Sequence, residues 1–136
     1  MMRHFLMLLA ATTAVAPAYA ASTKFQIAMT GAAEVPGPGA GSGKATLTFD
    51  TDKGQVCYML MASGTDAPTM AHIHKGAVGV AGGVVVPLAP PTNGMSEGCV
   101  PVAADALAAI LAAPSDYYVN VHSAAYPKGA MRGQLK

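Results

Sequence analysis

Three histidines carry the chemical signal of this 136-residue chain. His72 and His74 stand one residue apart in TMAHIHKGAVG (69–79), and His122 lies in DYYVNVHS (116–123). In an extended strand His72 and His74 project from one face, with Cα atoms roughly 6.5 to 7 Å apart, while Ile73 points the other way into a core. Two imidazoles so spaced can converge on one ion at about 2.0 to 2.1 Å per bond. A third from a neighbouring strand completes a three-histidine site with an open coordination position.

Neutral imidazoles suit copper and zinc, and no carboxylate lies within either motif to favour a harder ion, so copper ranks first and zinc second. Met70 shares the strand face of His72 and His74 and could offer a soft thioether to Cu(I), although a core position at the strand start also explains it. Strand histidines also occur half-buried and hydrogen-bonded with no ion. What favours a metal here is the concentration of all three in two strand-like runs. Arg132, in KGAMRGQ, offers a rigid donor fork. Two roles fit it: an anion guide beside the metal, or a clamp on a loop carbonyl or on Glu34.

The segments that must position these residues begin after a leader. MMRHFLMLLAATTAVAPAYA has a basic start (Arg3, His4), an apolar run from Phe5 to Ala16, and an A-x-A site at Ala18-Tyr19-Ala20. It reads as a secretory signal peptide spanning 1–20, because the run is short of the roughly 20 residues a spanning helix needs. A single domain would occupy 21–136, periplasmic or secreted. Its seven Lys plus Arg balance seven Asp plus Glu, which argues against a nucleic-acid or acidic-lipid partner. Cys57 and Cys99 would then meet an oxidising compartment, where a disulfide is expected; two separate buried thiols are the alternative.

Period-two alternation predicts strands at 24–30, 44–51 and 55–63, the last two joined as a hairpin through TDKG. Further strands are expected at 67–74, 84–88, 99–102, 116–123 and 130–135. GAAEVPGPGAGSG (31–43), KGAVGVAGG (75–83) and APPTNGMSEG (89–98) read as loops and turns. In 103–113, Leu107, Ile110 and Leu111 follow helical spacing, Asp105 favours the N-terminal end, and Pro114 stops the run. The expected fold is all-β, an antiparallel Greek-key sandwich or barrel of about eight short strands with one short helix.

Other motifs fail. GPGAGSGKA lacks the spacing of a phosphate loop and the Ser or Thr that should follow its lysine. No serine or cysteine sits in a nucleophile elbow, and no acidic residue neighbours the histidines in sequence, so a hydrolase triad is weakly supported.

In order along the chain, GAAEVPG, AHIHKGAVGVAGGVVVPL and YYVNVHSAAYPKGAMRGQL resemble the successive motifs of the chordin-type (CHRD) domain. That resemblance implies an extracytoplasmic β-rich module and says little about activity. Ser123 stands where Thr is usual, Gly37 where a second Pro is common, and Ala130-Met131 where Glu-Ile often precedes Arg-Gly. A more distant likeness is to copper-zinc superoxide dismutase, with H-x-H on a strand, a late histidine ligand and an arginine beside copper. It implies copper at His72, His74 and His122, and superoxide drawn in by Arg132. A bridging histidine and a zinc cluster are missing, so only a copper-only variant fits. The rival expectation is a non-enzymatic module that binds another exported protein or the cell envelope.

Overall fold

Alternating apolar residues build the first three strands as a meander. The computed structural model describes Ala14 and residues 21–136, so the expected leader otherwise lies outside the described residues. In β1 (Ser22–Thr30), Ile27 and Met29 face the core; in β2 (Ser42–Asp50), Ala45, Leu47 and Phe49 do; in β3 (Gln55–Ser63), Val56, Tyr58 and Leu60 do. At the β2–β3 turn a carboxylate oxygen of Asp50 accepts the backbone N–H groups of Asp52 and Lys53, and Gly54 takes the positive φ of 61° that the turn requires.

The remaining strands are β4 (Pro68–Lys75), β5 (Val84–Leu88), β6 (Met95–Pro101), β7 (Tyr117–Ser123) and β8 (Met131–Gln134). All eight join one antiparallel sheet in the order β5-β4-β7-β8-β1-β2-β3-β6. The sheet curls until its two edges meet. Beyond the end of β5, the Ala89 N–H donates to the Tyr58 hydroxyl at 3.0 Å, and the Ser96 hydroxyl of β6 donates to the Ala89 carbonyl at 2.7 Å. The architecture is thus a nearly closed antiparallel barrel, as the strand pattern predicts, with β5 and β6 as its edge strands. The helix α1 (Ala104–Ala112) packs Leu107 and Ile110 into the core and ends just before Pro114.

Most strand limits shift by one or two residues from the sequence expectation, and two of the shifts reach into expected loops. β2 starts at Ser42, inside the expected loop, and β6 starts at Met95, four residues before the expected Cys99. The start of β6 hides its alternation because its inward positions are Ser96 and Gly98, not large apolar residues. Gly98 is small for a reason: a Cβ there would lie 3.0 Å from the Tyr58 hydroxyl oxygen. Cys57 and Cys99 face one another in the β3–β6 ladder and are bonded, with an S–S distance of 2.06 Å. Closing a 42-residue separation stabilises the fold by about 4 kcal/mol on the chain-entropy view.

On β4, β7 and β8, Ala71, Ile73, Val119, Val121 and Met131 point into the barrel. The opposite phase therefore places Met70, His72 and His74, then Tyr118, Asn120 and His122, then Arg132 and Gln134, on the outer face. Every residue of β7 is nevertheless buried, so this outer face is covered.

Part of the cover is the segment after β1. A short 3-10 turn (Gly31–Ala33) leads to Glu34, which is 5% exposed and lies against Gly129, where any Cβ would overlap its carboxyl group. Burial pushes the Glu34 carboxyl up to about 7, against the pull of the Arg132 charge. A folded-state pKa above the unfolded value means that the native protein holds this proton more tightly. The contribution is therefore fully present below about pH 4.5 and is lost as pH rises toward about 7. Urea unfolding at pH 5 and pH 8 should show Glu34→Gln removing a decline of up to about 3 kcal/mol that wild type carries. His72 contributes an opposite slope to both proteins and cancels in the comparison; equal pH slopes in the two would refute the buried, proton-holding carboxyl.

Candidate metal centre

The β4–β7 register decides the site. Met70 pairs with His122, His72 with Asn120 and His74 with Tyr118, so the H-x-H pair and the late histidine share one patch of the outer face. Among the described residues, His72, His74 and His122 form the one group of three or more His, Cys, Asp or Glu side chains placed to share an ion, each offering a ligand atom within 4.8 Å of the others. His72 Nδ1 lies 3.1 Å from His122 Nε2. Two nitrogens bound to one tetrahedral ion stand about 3.3 Å apart, given bonds near 2.0 to 2.1 Å.

Hydrogen bonds set the tautomers of two of the rings. His74 Nδ1–H donates to the Gly82 carbonyl at 2.9 Å, and His122 Nδ1–H donates to the Pro127 carbonyl at 3.0 Å. A carbonyl can only accept, so both protons sit on Nδ1 and both lone pairs on Nε2. Backbone carbonyls thus serve as the orienting groups that acidic residues supply in many metal sites. His74 Nε2 is buried with no hydrogen-bond partner, an unfavourable state for a lone pair that a cation would relieve. Burial, then the nearness of His122 and His74, pushes the His72 imidazole down to about 4; burial also lowers His122. Both rings stay neutral at neutral pH, as ligation requires.

The glycine-rich segment 76–83 folds over this face and is tied down along its length. Arg132 donates to the carbonyls of Val80 and Ala77, each at 2.7 Å, and its Nε and Nη2 both reach the Gln134 side-chain oxygen. Gln134 in turn donates to the Gly76 carbonyl, and the Gly82 N–H donates to the Tyr118 hydroxyl. The glycines are needed for this approach, since a Cβ at Gly82 would collide with the Lys75 carbonyl and one at Gly76 would press on the Val80 carbonyl and the Tyr118 ring. Arg132 Cζ lies 3.4 Å from the Tyr118 ring centre, and the His74 ring stacks parallel to Tyr118 at 4.8 Å. Groups this close cannot share one ring face, so Tyr118 is held between the guanidinium and the His74 imidazole.

This arrangement bears on the two roles that fit Arg132. The side chain is 2% exposed, and its donors are consumed by the loop and by Gln134, so it presents no free fork to a solute. The clamp on loop carbonyls is the role the structure supports, with Glu34 as a nearby charge. Sequence reasoning missed Tyr118 and Gln134 as partners of that clamp. It also missed the Gly82 and Pro127 carbonyls, because a backbone acceptor has no residue-type signature. A clamp that orients His74 has a measurable consequence. Arg132→Met should weaken metal binding about 10- to 100-fold in a competition titration, the usual cost of losing an orienting partner. Unchanged affinity would leave the clamp without an effect on the histidines.

The disulfide suits an oxidising environment, and among the described residues no helix is long and apolar enough to cross a membrane. Comparison with known sequences finds no match among curated proteins and none among solved structures. A family model for the CHRD domain, an extracellular-type module, matches residues 25–135, which takes in the histidine patch, the clamped loop and the disulfide; the chain belongs to the CHRD domain family.

Proposed function

We propose that this exported CHRD domain binds a single copper ion through His72, His74 and His122. The observation that carries the reading is the buried, unpartnered Nε2 of His74 beside a 3.1 Å contact between His72 and His122 nitrogens. An all-imidazole donor set favours copper over zinc on the Irving–Williams order, and it lacks the oxygen ligands that a harder ion prefers. Met70, which pairs with His122 in the ladder and remains exposed, would add a soft thioether when the ion is Cu(I). With three ligands from the protein, an open position is left for a small molecule. Bound copper would supply one-electron cycling toward superoxide, while the chain fixes geometry and access.

A non-enzymatic module is the second reading, and a specific observation favours it. Val78, Val80 and Val84 on and beside the clamped loop are all exposed, an apolar rim suited to another exported protein. The two readings separate under a strong chelator, which would abolish copper chemistry and leave protein binding intact.

A Cu(II) titration against a competing chelator should give one equivalent for the wild type, at the histidines. His72→Ala, His74→Ala and His122→Ala should each weaken binding by at least 100-fold, since two imidazoles hold copper far less well than three. Unchanged stoichiometry in His72→Ala and His122→Ala would remove the site. Superoxide consumption, measured with and without added copper, should appear only in the loaded wild type; a loaded protein without it binds copper and does not turn over.

A further inference from the structure

Outside the histidine patch, the outer face carries a second group of unusual side chains. Among the described residues no leucine, isoleucine or phenylalanine is exposed. The exposed large apolar residues are three valines at the clamped loop, Met70 beside the histidines, and Met59, Met61 and Met95, which are 43%, 50% and 51% exposed. These last three stand together. Met59 and Met61 share a face of β3, and Met95 on edge strand β6 is the direct register partner of Met61.

Ordinary selection pressures do not explain methionine here. The corresponding outward positions of neighbouring β2 are Lys44, Thr46 and Thr48, which are soluble or strand-favouring types. Methionine is neither polar nor a strong strand former, and an exposed side chain of its size gives up apolar burial as leucine would. The property that distinguishes it from leucine is a soft, polarizable thioether. Directly opposed residues in an antiparallel ladder have Cα atoms about 4.5 to 5.5 Å apart, and same-face neighbours stand roughly 6.5 to 7 Å apart along the strand. Those separations lie within the reach of three flexible thioether side chains toward one point.

Two features prepare the group for a cation. The Cys57–Cys99 bond lies on the same face of the same ladder and locks the edge strand in register, which holds Met95 opposite Met61. Glu97 faces Met59 and places an exposed carboxylate beside the sulfurs. Lys44 faces Met61 from β2 and is exposed like Glu97, so water screens both charges and the sulfurs carry the selectivity.

We propose that Met59, Met61 and Met95 form a separate thioether site for a soft monovalent cation, Cu(I), on strands that carry none of the histidines. Thioethers select Cu(I) over harder ions, so this site would hold the reduced ion while imidazoles accept either oxidation state. The assignment stands without the histidine site, because it rests on different residues.

Ag(I) is the probe, as a redox-inert soft cation. Titrating the mature chain while following the methionine methyl resonances should move Met59, Met61 and Met95 together and leave buried Met29 and Met131 in place. Met59→Leu/Met61→Leu/Met95→Leu keeps the apolar volume and removes only the sulfur. That variant should lose one equivalent of Ag(I) or bind it at least 10-fold more weakly, with an unchanged circular dichroism spectrum. His72→Ala/His122→Ala should retain that equivalent. Equal Ag(I) uptake by wild type and the triple leucine variant, or movement of the Met70 methyl alone, overturns the site.

Discussion

The buried guanidinium of Arg132 is the constraint on which the outer face depends. A charged group at 2% exposure must have acceptors, and a loop lying over a sheet must find donors for its carbonyls. Arg132 and segment 76–83 solve both problems at once, through Ala77 and Val80. Removing either side would leave the other buried and unsatisfied, which costs more than the bond itself contributes. The loop is therefore a fixed second layer over β7, and β7 becomes a strand with two buried faces.

That second layer turns three histidines into a chemical site. Without the loop, His74 would have no Gly82 carbonyl to hold its Nδ1 proton and would be wet. With it, His74 Nε2 is buried and unpartnered, in a group whose ligand atoms lie within 4.8 Å of one another. Burial also favours the neutral form of His72 and His122, because a protonated imidazole there would lose hydration. The stack of Arg132, Tyr118 and His74 adds rigidity from the other side of the ring. Desolvation and fixed tautomers are what a cation would exploit, and both come from the cover.

Much of this was legible from residue order. Alternation in β1, β2 and β3 marked strands correctly because each has one face of large apolar residues, β7 showed as a β-prone run, and α1 showed its helical spacing between Asp105 and Pro114. The start of β6 was not legible, since an edge strand with small Ser96 and Gly98 inside carries no hydrophobic period. Arg132 was visible as a singular residue, but its role was open, because the fork that guides an anion is the same fork that clamps a carbonyl.

The sequence alone determined the all-β class, the same-face geometry of His72 and His74, and the one-to-one count of cysteines, since each follows from local periodicity or composition. Only tertiary structure decided that β7 lies beside β4, which brings His122 opposite Met70 and next to the pair. Strand adjacency between segments about fifty residues apart depends on how the whole sheet closes, and no local pattern encodes it. Tertiary structure also decided which nitrogen of His74 and of His122 carries the proton, because the partners are backbone carbonyls of Gly82 and Pro127 that become neighbours only when the loops fold down.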